Sequence, residues 1–389
     1  MALSRRRLFE DLGFVTPARS GAWIAARGRE HAEATGAEHT GSAASDASIR
    51  LNSNENPVGP SAAVLDAILA SLPAAGRYPD KATISEATLV ESIARANGAA
   101  AENVVWGGGS GELLAAAVRA FTSPARPLVT AWPSFETPHQ MAAKMGTPIK
   151  EVALDASLAL DLDTMIAAST GAGLVFFCNP NNPTGTVHGD AAVKDFVARV
   201  HAASPDTVIL LDEAYHDYVT DPSYKTGVPL AISQPNLIVT RTFSKAHGMA
   251  GIRLGYALGQ RATVRAISRY RNGLGMSVPG VAAGVASLSD AAHIDQERAR
   301  NTAVRAFTVK AFKDLGFTSV ESQANFLFVN LGRPIAPFRD ACKDAGVLVG
   351  RDFPPYANSH CRISLGTMDE MQRAVAVFRT LLGTTKGER

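Results

Sequence analysis

Short apolar runs that alternate with helical stretches constrain the fold of this chain more than any other feature. From about residue 100, runs rich in apolar and β-branched residues are typical of strands: Asn103–Trp106, Pro127–Ala131, Leu174–Cys178, Val208–Asp212, Leu237–Thr240 and Ile252–Leu258. Helical stretches lie between some of these runs: Glu112–Phe121, Ala191–Ala203 and Thr263–Arg271. Several strands are apolar on both faces, as in a sheet buried between two layers of helices. The order therefore predicts an α/β domain with a mostly parallel sheet.

The pattern changes after about residue 290, where a separate α+β domain is predicted. Its elements are a long helix, a strand, a helix, a strand and a closing helix: His293–Leu315, Phe326–Val329, Pro337–Ala345, Cys361–Leu365 and Met368–Leu382. A chain of 389 residues is also long for one hydrophobic core. We expect a large domain over 77–289, a small domain over 290–389, and a segment at 49–76 that packs with the small domain.

The N-terminus carries an arginine-rich stretch, Ser4–Phe9, that resembles a twin-arginine export signal. Such a signal needs an uninterrupted apolar region after it, and charged residues break that region here: Glu10, Asp11, Arg19 and Arg27. The favoured interpretation is an amphipathic arm followed by a linker, together covering residues 1–48. We expect a cytoplasmic protein, and export stays open.

Composition argues against several classes of partner. The formal net charge is +2 and basic residues do not cluster in long blocks, so nucleic acid and anionic membrane surfaces are unexpected partners. The cysteines (Cys178, Cys342 and Cys361) are scattered and odd in number, which fits neither a zinc site nor a disulfide framework. No apolar run approaches the roughly 20 residues of a membrane span. We therefore predict neither a metal site nor a membrane anchor.

Two loops that follow predicted strands are candidates for ligand binding. Trp106–Glu112 is a glycine-rich turn from a strand into a helix, where free N–H groups form an anion pocket. Asn179–Gly185 follows a buried strand and holds amide side chains at the carboxyl end of the sheet, where ligands of α/β proteins bind. A bare turn and a rigid proline turn are the structural alternatives.

Acidic and phenolic side chains end another apolar strand, within Val208–Tyr215. Asp212 lies at the mouth of a strand buried on both faces, where it can pair with a buried cation, and Tyr215 follows three residues later. A helix cap or a solvated acid is the alternative for either carboxylate at this strand end.

A lysine among small residues follows a further strand. Lys245 has hydroxyl groups one and three residues before it, on Ser244 and Thr242, and Arg253 eight residues after it. That grouping suits an amine kept reactive beside an anion site. A solvated surface lysine is the alternative.

Together these features resemble the class I/II aminotransferases of pyridoxal-phosphate (PLP) fold type I. Within them, three further motifs are most similar to the histidinol-phosphate aminotransferase branch: Leu51–Pro57, Arg77–Asp80 and Arg362–Thr367. The resemblance covers residues 50 to 383 in order and spacing. It implies a large domain with a mostly parallel seven-stranded sheet between helices, and a smaller α+β C-terminal domain.

The resemblance also implies an activity. The enzyme would move an amino group from an amino acid or histidinol phosphate to a 2-oxo acid such as 2-oxoglutarate, through a Schiff base of PLP with Lys245. Lys245 would also carry the proton at the substrate α-carbon. Asp212 would lie against the pyridine nitrogen, and Asn182 and Tyr215 would bind the 3′-oxygen of the cofactor.

The phosphate group of the cofactor has its own set of matches. They are the backbone N–H groups of Ser110 and Gly111 and the side chains of Thr242, Ser244 and Arg253. Gly111 departs from the family pattern, because an acidic residue is common at that position.

Two aromatic positions complete the implied cofactor site. Phe135 matches the aromatic residue that stacks on the cofactor ring. Tyr78 matches a residue that reaches the phosphate in the neighbouring subunit, which implies a homodimer with shared active sites.

The substrate side is implied by Arg362, Arg351 and Asn54. Arg362 matches the arginine that binds the substrate carboxylate or, in histidinol-phosphate enzymes, the phosphate end. For Arg351 a surface ion pair with Asp352 or another acid is the alternative. Two further departures lie nearby: His247, as a packing or a titrating residue, and Phe353–Tyr356, which would reshape the substrate pocket.

Other outcomes stay open on the same scaffold, because a fold does not fix the reaction. A decarboxylase, a lyase or an oxidase would keep the same cofactor. A non-catalytic PLP-binding regulator would need a DNA-binding module, and the residues before the core are too few and too linker-like for one.

Overall fold

The computed structural model describes residues 48–79, 85–272 and 275–383. The arginine-rich stretch and nearly all of the predicted arm and linker therefore lie outside the described residues. Within the described ranges, no helix is both long enough and apolar enough to cross a membrane.

A seven-stranded sheet forms the centre of the larger part of the molecule. Its strands are β2 (Val104–Gly107), β3 (Leu128–Trp132), β4 (Ile149–Ala153), β5 (Leu174–Cys178), β6 (Val208–Asp212), β7 (Leu237–Thr242) and β8 (Gly255–Gly259). Their spatial order is β2-β8-β7-β6-β5-β3-β4. Only β8 runs against its neighbours, so the predicted mostly parallel sheet is confirmed.

Helices cover both faces of this sheet. They are α1 (Ala62–Ser71), α2 (Glu86–Ala96), α3 (Ser110–Phe121), α4 (Thr137–Met145), α5 (Leu162–Ala168), α6 (Asp190–Ala203), α7 (Val228–Ser233), α8 (Arg261–Ser268) and α9 (Val278–Leu288). Along β5, Val175 and Phe177 belong to one apolar cluster while Leu174 and Phe176 belong to the cluster on the other face. Alternate side chains of one strand thus enter two cores, which explains why these strands are apolar throughout.

Two strands differ from the sequence prediction for local reasons. β4 was not among the predicted runs, because it lies at the edge of the sheet and carries Lys150 and Glu151 on exposed positions. The strand predicted at Ile252–Leu258 begins at Gly255 instead. Arg253 has a φ of 62°, a left-handed conformation that cannot continue an extended strand.

The C-terminal part has its own apolar core, formed by α10 (Ala291–Asp314), α11 (Ile335–Asp344), α12 (Met368–Gly383) and two small sheets. One sheet is antiparallel and contains β9 (Thr318–Ser319), β10 (Phe326–Asn330) and β12 (His360–Ser364). The other pairs β1 (Ile49–Leu51) in parallel with β11 (Val347–Val349). The segment after β1 then leads to α1, which packs on α9, so residues 49–76 contact both parts of the molecule. The exact domain boundaries stay a prediction.

Candidate active site

A cavity of about 910 Å³ lies at the carboxyl ends of β5, β6 and β7, facing β12 and α11. Thirteen of the site residues predicted from the sequence line it: Asn54, Ser110, Gly111, Phe135, Asn182, Asp212, Tyr215, Thr242, Ser244, Lys245, Arg253, Arg351 and Arg362. Tyr78 does not line this cavity and is 84% exposed. Chain segments that are far apart in sequence therefore meet at one edge of the sheet.

Asp212 is the last residue of β6 and is almost fully buried. Its Oδ1 accepts a hydrogen bond of 2.9 Å from the hydroxyl of Thr240, which lies opposite it on β7. Burial raises the pKa of Asp212 to about 7, and the neighbouring Glu213 adds to that shift. The ionised form of a carboxylate buried in this way is stabilised when a cation binds beside it.

Lys245 lies in the loop that follows β7, with its ammonium group turned into the cavity. The Nζ donates hydrogen bonds to the carbonyl oxygens of Asn54, at 3.0 Å, and Ser53, at 3.3 Å. Burial, and then the charge of Arg362, lower the pKa of Lys245 to about 8. Near neutral pH, the uncharged and nucleophilic fraction of this amine is therefore larger than that of an ordinary lysine.

Tyr215 is held by a residue from the beginning of the chain. The amide of Asn54 donates a hydrogen bond of 3.0 Å to the phenol oxygen. Asn54 is itself fixed by Ser364 of β12, whose hydroxyl lies 2.8 Å from both its backbone nitrogen and its Oδ1. Burial raises the pKa of Tyr215, so the phenol keeps its proton and remains a hydrogen-bond donor.

The glycine-rich turn before α3 forms the opposite wall. Gly109 has a φ of 94°, and a Cβ there would meet the guanidinium of Arg253. Arg253 donates to the carbonyl oxygens of Ala250, at 2.8 Å, and Gly108, at 3.3 Å. Free backbone N–H groups at the start of the twelve-residue α3 lie next to this arginine, which is the arrangement of an anion site.

Arg362 is a buried cation on β12. It donates hydrogen bonds to Oδ1 of Asn182, at 2.8 Å, and to the carbonyl oxygen of Asn52, at 2.6 Å. Its buried Nε has no hydrogen-bond partner among the residues that the structure describes. A buried guanidinium without a carboxylate partner is suited to bind an anionic ligand group.

Arg351 takes part in an ion pair, but with a different acid from the one named in the sequence analysis. Its Nη2 lies 2.7 Å from Oε1 of Glu136. The carboxylate of Asp352 instead pairs with Arg339. The ion-pair alternative for Arg351 is therefore observed with Glu136 rather than with Asp352, while Arg351 also lines the cavity and its role toward the substrate stays a prediction.

His247 follows Lys245 in the same loop but does not line the cavity. Its Nδ1 is 2.7 Å from the hydroxyl of Ser287 and its ring is 4.7 Å from the ring of Phe243. Its Nε2 is 3.7 Å from a carboxylate oxygen of Asp217. Burial lowers the pKa of His247. These contacts favour the packing interpretation over a titrating role.

Some contributors to this site were missed by the sequence analysis. Thr240 holds Asp212, and its signal is a threonine in an apolar strand two residues before the end. Ser364 holds Asn54 and lies within a motif that was singled out for Arg362. Glu136 follows Phe135 directly, and no local pattern links it to a residue more than 200 positions away.

Comparison with known proteins identifies the family. A model of the family described as aminotransferase class I and II matches residues 47–378. The chain belongs to this family. The histidinol-phosphate aminotransferase of Symbiobacterium thermophilum is 34% identical over 336 residues, which is 86% of this chain and 91% of that protein.

Relatives of this aminotransferase carry two different names. The aromatic amino acid aminotransferase of Rhodococcus jostii is 37% identical over 320 residues, covering 82% of this chain and 86% of that protein. The crystal structure of histidinol-phosphate aminotransferase from Sinorhizobium meliloti, in complex with pyridoxal-5′-phosphate, has a TM-score of 0.79 and 29% identity. That match covers 87% of this chain and 91% of the other. The predicted fold type and enzyme class are confirmed.

Proposed function

We propose that this aminotransferase moves an amino group from an amino acid or histidinol phosphate to a 2-oxo acid such as 2-oxoglutarate. Its cofactor is PLP, and Lys245 is the amine to which PLP attaches. One observation carries the proposal: an amine with a lowered pKa, a buried carboxylate and an anion pocket line the same cavity.

The donor set of the cavity fits the chemistry of PLP. The turn at Gly109 and Ser110, with Arg253 beside it, offers N–H groups and a guanidinium to a phosphate. Asp212 offers a carboxylate to a protonated ring nitrogen. Asn182 and Tyr215 offer hydrogen bonds to the ring oxygen, and Phe135 presents an aromatic ring in the same cavity.

The pKa of Asp212 supports its role beside the ring nitrogen. Burial is the largest cause of the rise of this pKa to about 7, so the carboxylate without a ligand is poorly stabilised. A cation next to it lowers the pKa again and keeps the carboxylate ionised. Asp212 thus holds a proton on the ring nitrogen, and Thr240 fixes the orientation of the carboxylate.

PLP, when bound, supplies an electron-withdrawing ring that stabilises negative charge at the substrate α-carbon. The residues of the chain do the remaining work. Lys245, held between the carbonyl oxygens of Ser53 and Asn54, is placed to take and return the proton at that carbon. Arg362 binds the carboxylate of the donor and orients it toward Lys245.

The turn that binds the phosphate depends on a glycine in β8. A Cβ on Gly255 would lie 2.7 Å from the carbonyl carbon of Gly109 and still closer to the nitrogen of Ser110. We expect Gly255→Ala to displace this turn and to weaken PLP binding by about tenfold or more, because misplaced N–H groups lose the anion. Titration of the cofactor-free protein with PLP, followed by absorbance, measures this.

Gly251→Ala is the matched control for this prediction, since open space surrounds a Cβ at Gly251. The control is expected to bind PLP as the parent protein does. Equal affinities of the two variants would show that the turn before α3 is not the phosphate site.

The proposal includes a homodimer. Tyr78 is an exposed aromatic residue that lies outside the cavity of its own chain. An exposed ring of this size is readily explained by a partner surface. We propose that Tyr78 reaches the cofactor phosphate of the partner subunit.

A donor half-reaction tests the proposed chemistry. The PLP-loaded protein is mixed with phenylalanine or with histidinol phosphate in the absence of a 2-oxo acid. We expect one equivalent of pyridoxamine phosphate per site, since the amino group stays on the cofactor until an acceptor arrives. Release of carbon dioxide or ammonia without pyridoxamine phosphate would instead identify a decarboxylase or a lyase.

A further inference from the structure

Two opposite charges face each other on the substrate side of the cavity. Glu136 precedes α4 at its N-cap position, yet its side chain makes no capping hydrogen bond to that helix. The carboxylate instead reaches Arg351, with 2.7 Å between Oε1 and Nη2. An acid at a helix N-terminus commonly binds the free N–H groups there, so this carboxylate is directed away from its usual local partner.

Arg351 is engaged on its other sides as well. Its Nη1 donates to the carbonyl oxygen of Asp352 at 2.9 Å, and its guanidinium carbon lies 4.2 Å from the centre of the Phe353 ring. The same ring lies 4.8 Å from the guanidinium carbon of Arg362. Phe353 therefore contacts both arginines. Arg351 is half-exposed and has a carboxylate partner, whereas Arg362 is buried and binds neutral oxygens.

The next cation on this wall is also compensated. Arg339 of α11 pairs with Asp352, and its Nε lies 3.7 Å from the carboxylate of Asp340. Lys343, one turn further along α11, is exposed to solvent at the rim. The two arginines beyond Arg362, Arg339 and Arg351, therefore each have a carboxylate partner.

This charge balance distinguishes two kinds of donor. An α-amino acid carries one carboxylate, which Arg362 binds, and an uncharged side chain then lies against the Glu136–Arg351 pair. A phosphate monoester carries a charge of about −1.5 to −2 near neutral pH. When such a group takes the place of the carboxylate at Arg362, its additional negative charge lies near Glu136, because Arg351 and Arg362 both contact the Phe353 ring. The phosphate is then repelled by the carboxylate of Glu136 or has to displace it from Arg351, and both are unfavourable.

We infer that Glu136 is a specificity-determining residue, which favours α-amino acids with uncharged side chains over phosphate-bearing donors by holding Arg351 in an ion pair. The inference rests on the proposed aminotransferase reaction at this site. Glu136 acts through Arg351, because its carboxylate is bonded to that guanidinium and is only partly accessible, at 26% of its side-chain surface.

Donor half-reactions on the PLP-loaded protein test the inference, because they need no acceptor. The specificity constants for phenylalanine and histidinol phosphate are compared in the parent protein and in Glu136→Gln, which removes the charge and keeps the shape. The parent is expected to favour phenylalanine. The variant is expected to shift the ratio toward histidinol phosphate by about tenfold.

Asp340→Asn is the matched control, since it removes one negative charge from the same wall without touching Arg351. Its ratio is expected to change by no more than about twofold, because the charge is farther from the pair and is screened. In an Arg351→Gln background, Glu136→Gln is expected to leave the ratio unchanged, as a double-mutant cycle requires for residues that act through each other.

The results separate the inference from the function on which it rests. If neither donor yields pyridoxamine phosphate in the parent protein, the proposed function fails. If both donors react but Glu136→Gln leaves their ratio as in the parent, or if the parent favours histidinol phosphate, the inference is overturned. Equal slowing of both donors in Glu136→Gln also overturns it, since that is the signature of a merely structural contact.

Discussion

Replacement of Lys245 by alanine is expected to lower the rate of transamination by about 10³-fold or more. The variant loses both the amine that attaches PLP and the group that moves the proton at the substrate α-carbon. Among the described residues, the Nζ of Lys245 makes two hydrogen bonds, both to carbonyl oxygens, so the fold is expected to survive its removal. The measurement is the donor half-reaction with phenylalanine, together with the visible absorbance of the bound cofactor.

Lys343→Ala is the control for this prediction, because Lys343 lines the same cavity but is exposed on α11. Its activity is expected to stay close to that of the parent. Retention of both absorbance and turnover by Lys245→Ala would contradict the assignment of Lys245. Loss of activity in both variants would point to general damage of the cavity instead.

Asp212→Asn is expected to have opposite effects on activity and on stability. Without a carboxylate, the proton on the ring nitrogen loses its partner, and turnover is expected to fall by about 10²–10³-fold, the usual effect of removing one preorganised electrostatic group. Asparagine keeps an oxygen that accepts the hydrogen bond from Thr240. Rates of the donor half-reaction in the two proteins, each saturated with PLP, measure the first effect.

The effect on stability follows from the pKa of Asp212, which burial raises to about 7. Because the folded protein favours the protonated form of Asp212, this preference contributes fully to stability at pH values below the pKa that Asp212 has in the unfolded chain. The contribution is lost as the pH rises through about 7. At pH values above 7 the cofactor-free protein therefore holds an unfavourable buried charge, which Asp212→Asn removes.

Thermal unfolding of the cofactor-free proteins tests this second effect. We expect Asp212→Asn to raise the midpoint at pH 8 and to have a much smaller effect at pH 5, where the aspartic acid is already protonated. The gain in the free energy of unfolding is expected to be roughly 1–4 kcal/mol at pH 8. A lower midpoint for the variant at both values of pH would contradict a raised pKa.

The sequence alone predicted those parts of the molecule that depend on local patterns. The run Leu174–Cys178 is apolar throughout because its two faces enter different cores. The chemical groups at the ends of β5, β6 and β7 could be grouped in advance, since the carboxyl ends of parallel strands meet at one edge. The resemblance to the aminotransferase family then assigned roles to individual residues, which no local sequence pattern indicates.

What escaped prediction depends on contacts between distant segments or on a local exception to a pattern. The local sequence around Glu136 and around Arg351 does not predict the ion pair between them. The hydrogen bond from Asn54 to Tyr215 spans 161 residues. β4 has no apolar run because it is an edge strand. β8 begins later in the sequence than predicted because Arg253 adopts a left-handed conformation, which the residues around it do not indicate.

The pairing of β1 with β11 has a consequence for the synthesis of the protein. Ile49–Leu51 is synthesised before the whole of the central sheet, whereas its partner strand Val347–Val349 is synthesised after that sheet. At a translation rate of about 5–20 residues per second, tens of seconds pass between the synthesis of β1 and that of β11. A contact between segments so far apart in sequence is also among the most costly in conformational entropy. The carbonyl oxygens that hold Lys245 follow β1 directly, at Ser53 and Asn54. The central sheet can therefore assemble during translation, but the complete cofactor site forms only after the last strands have been released.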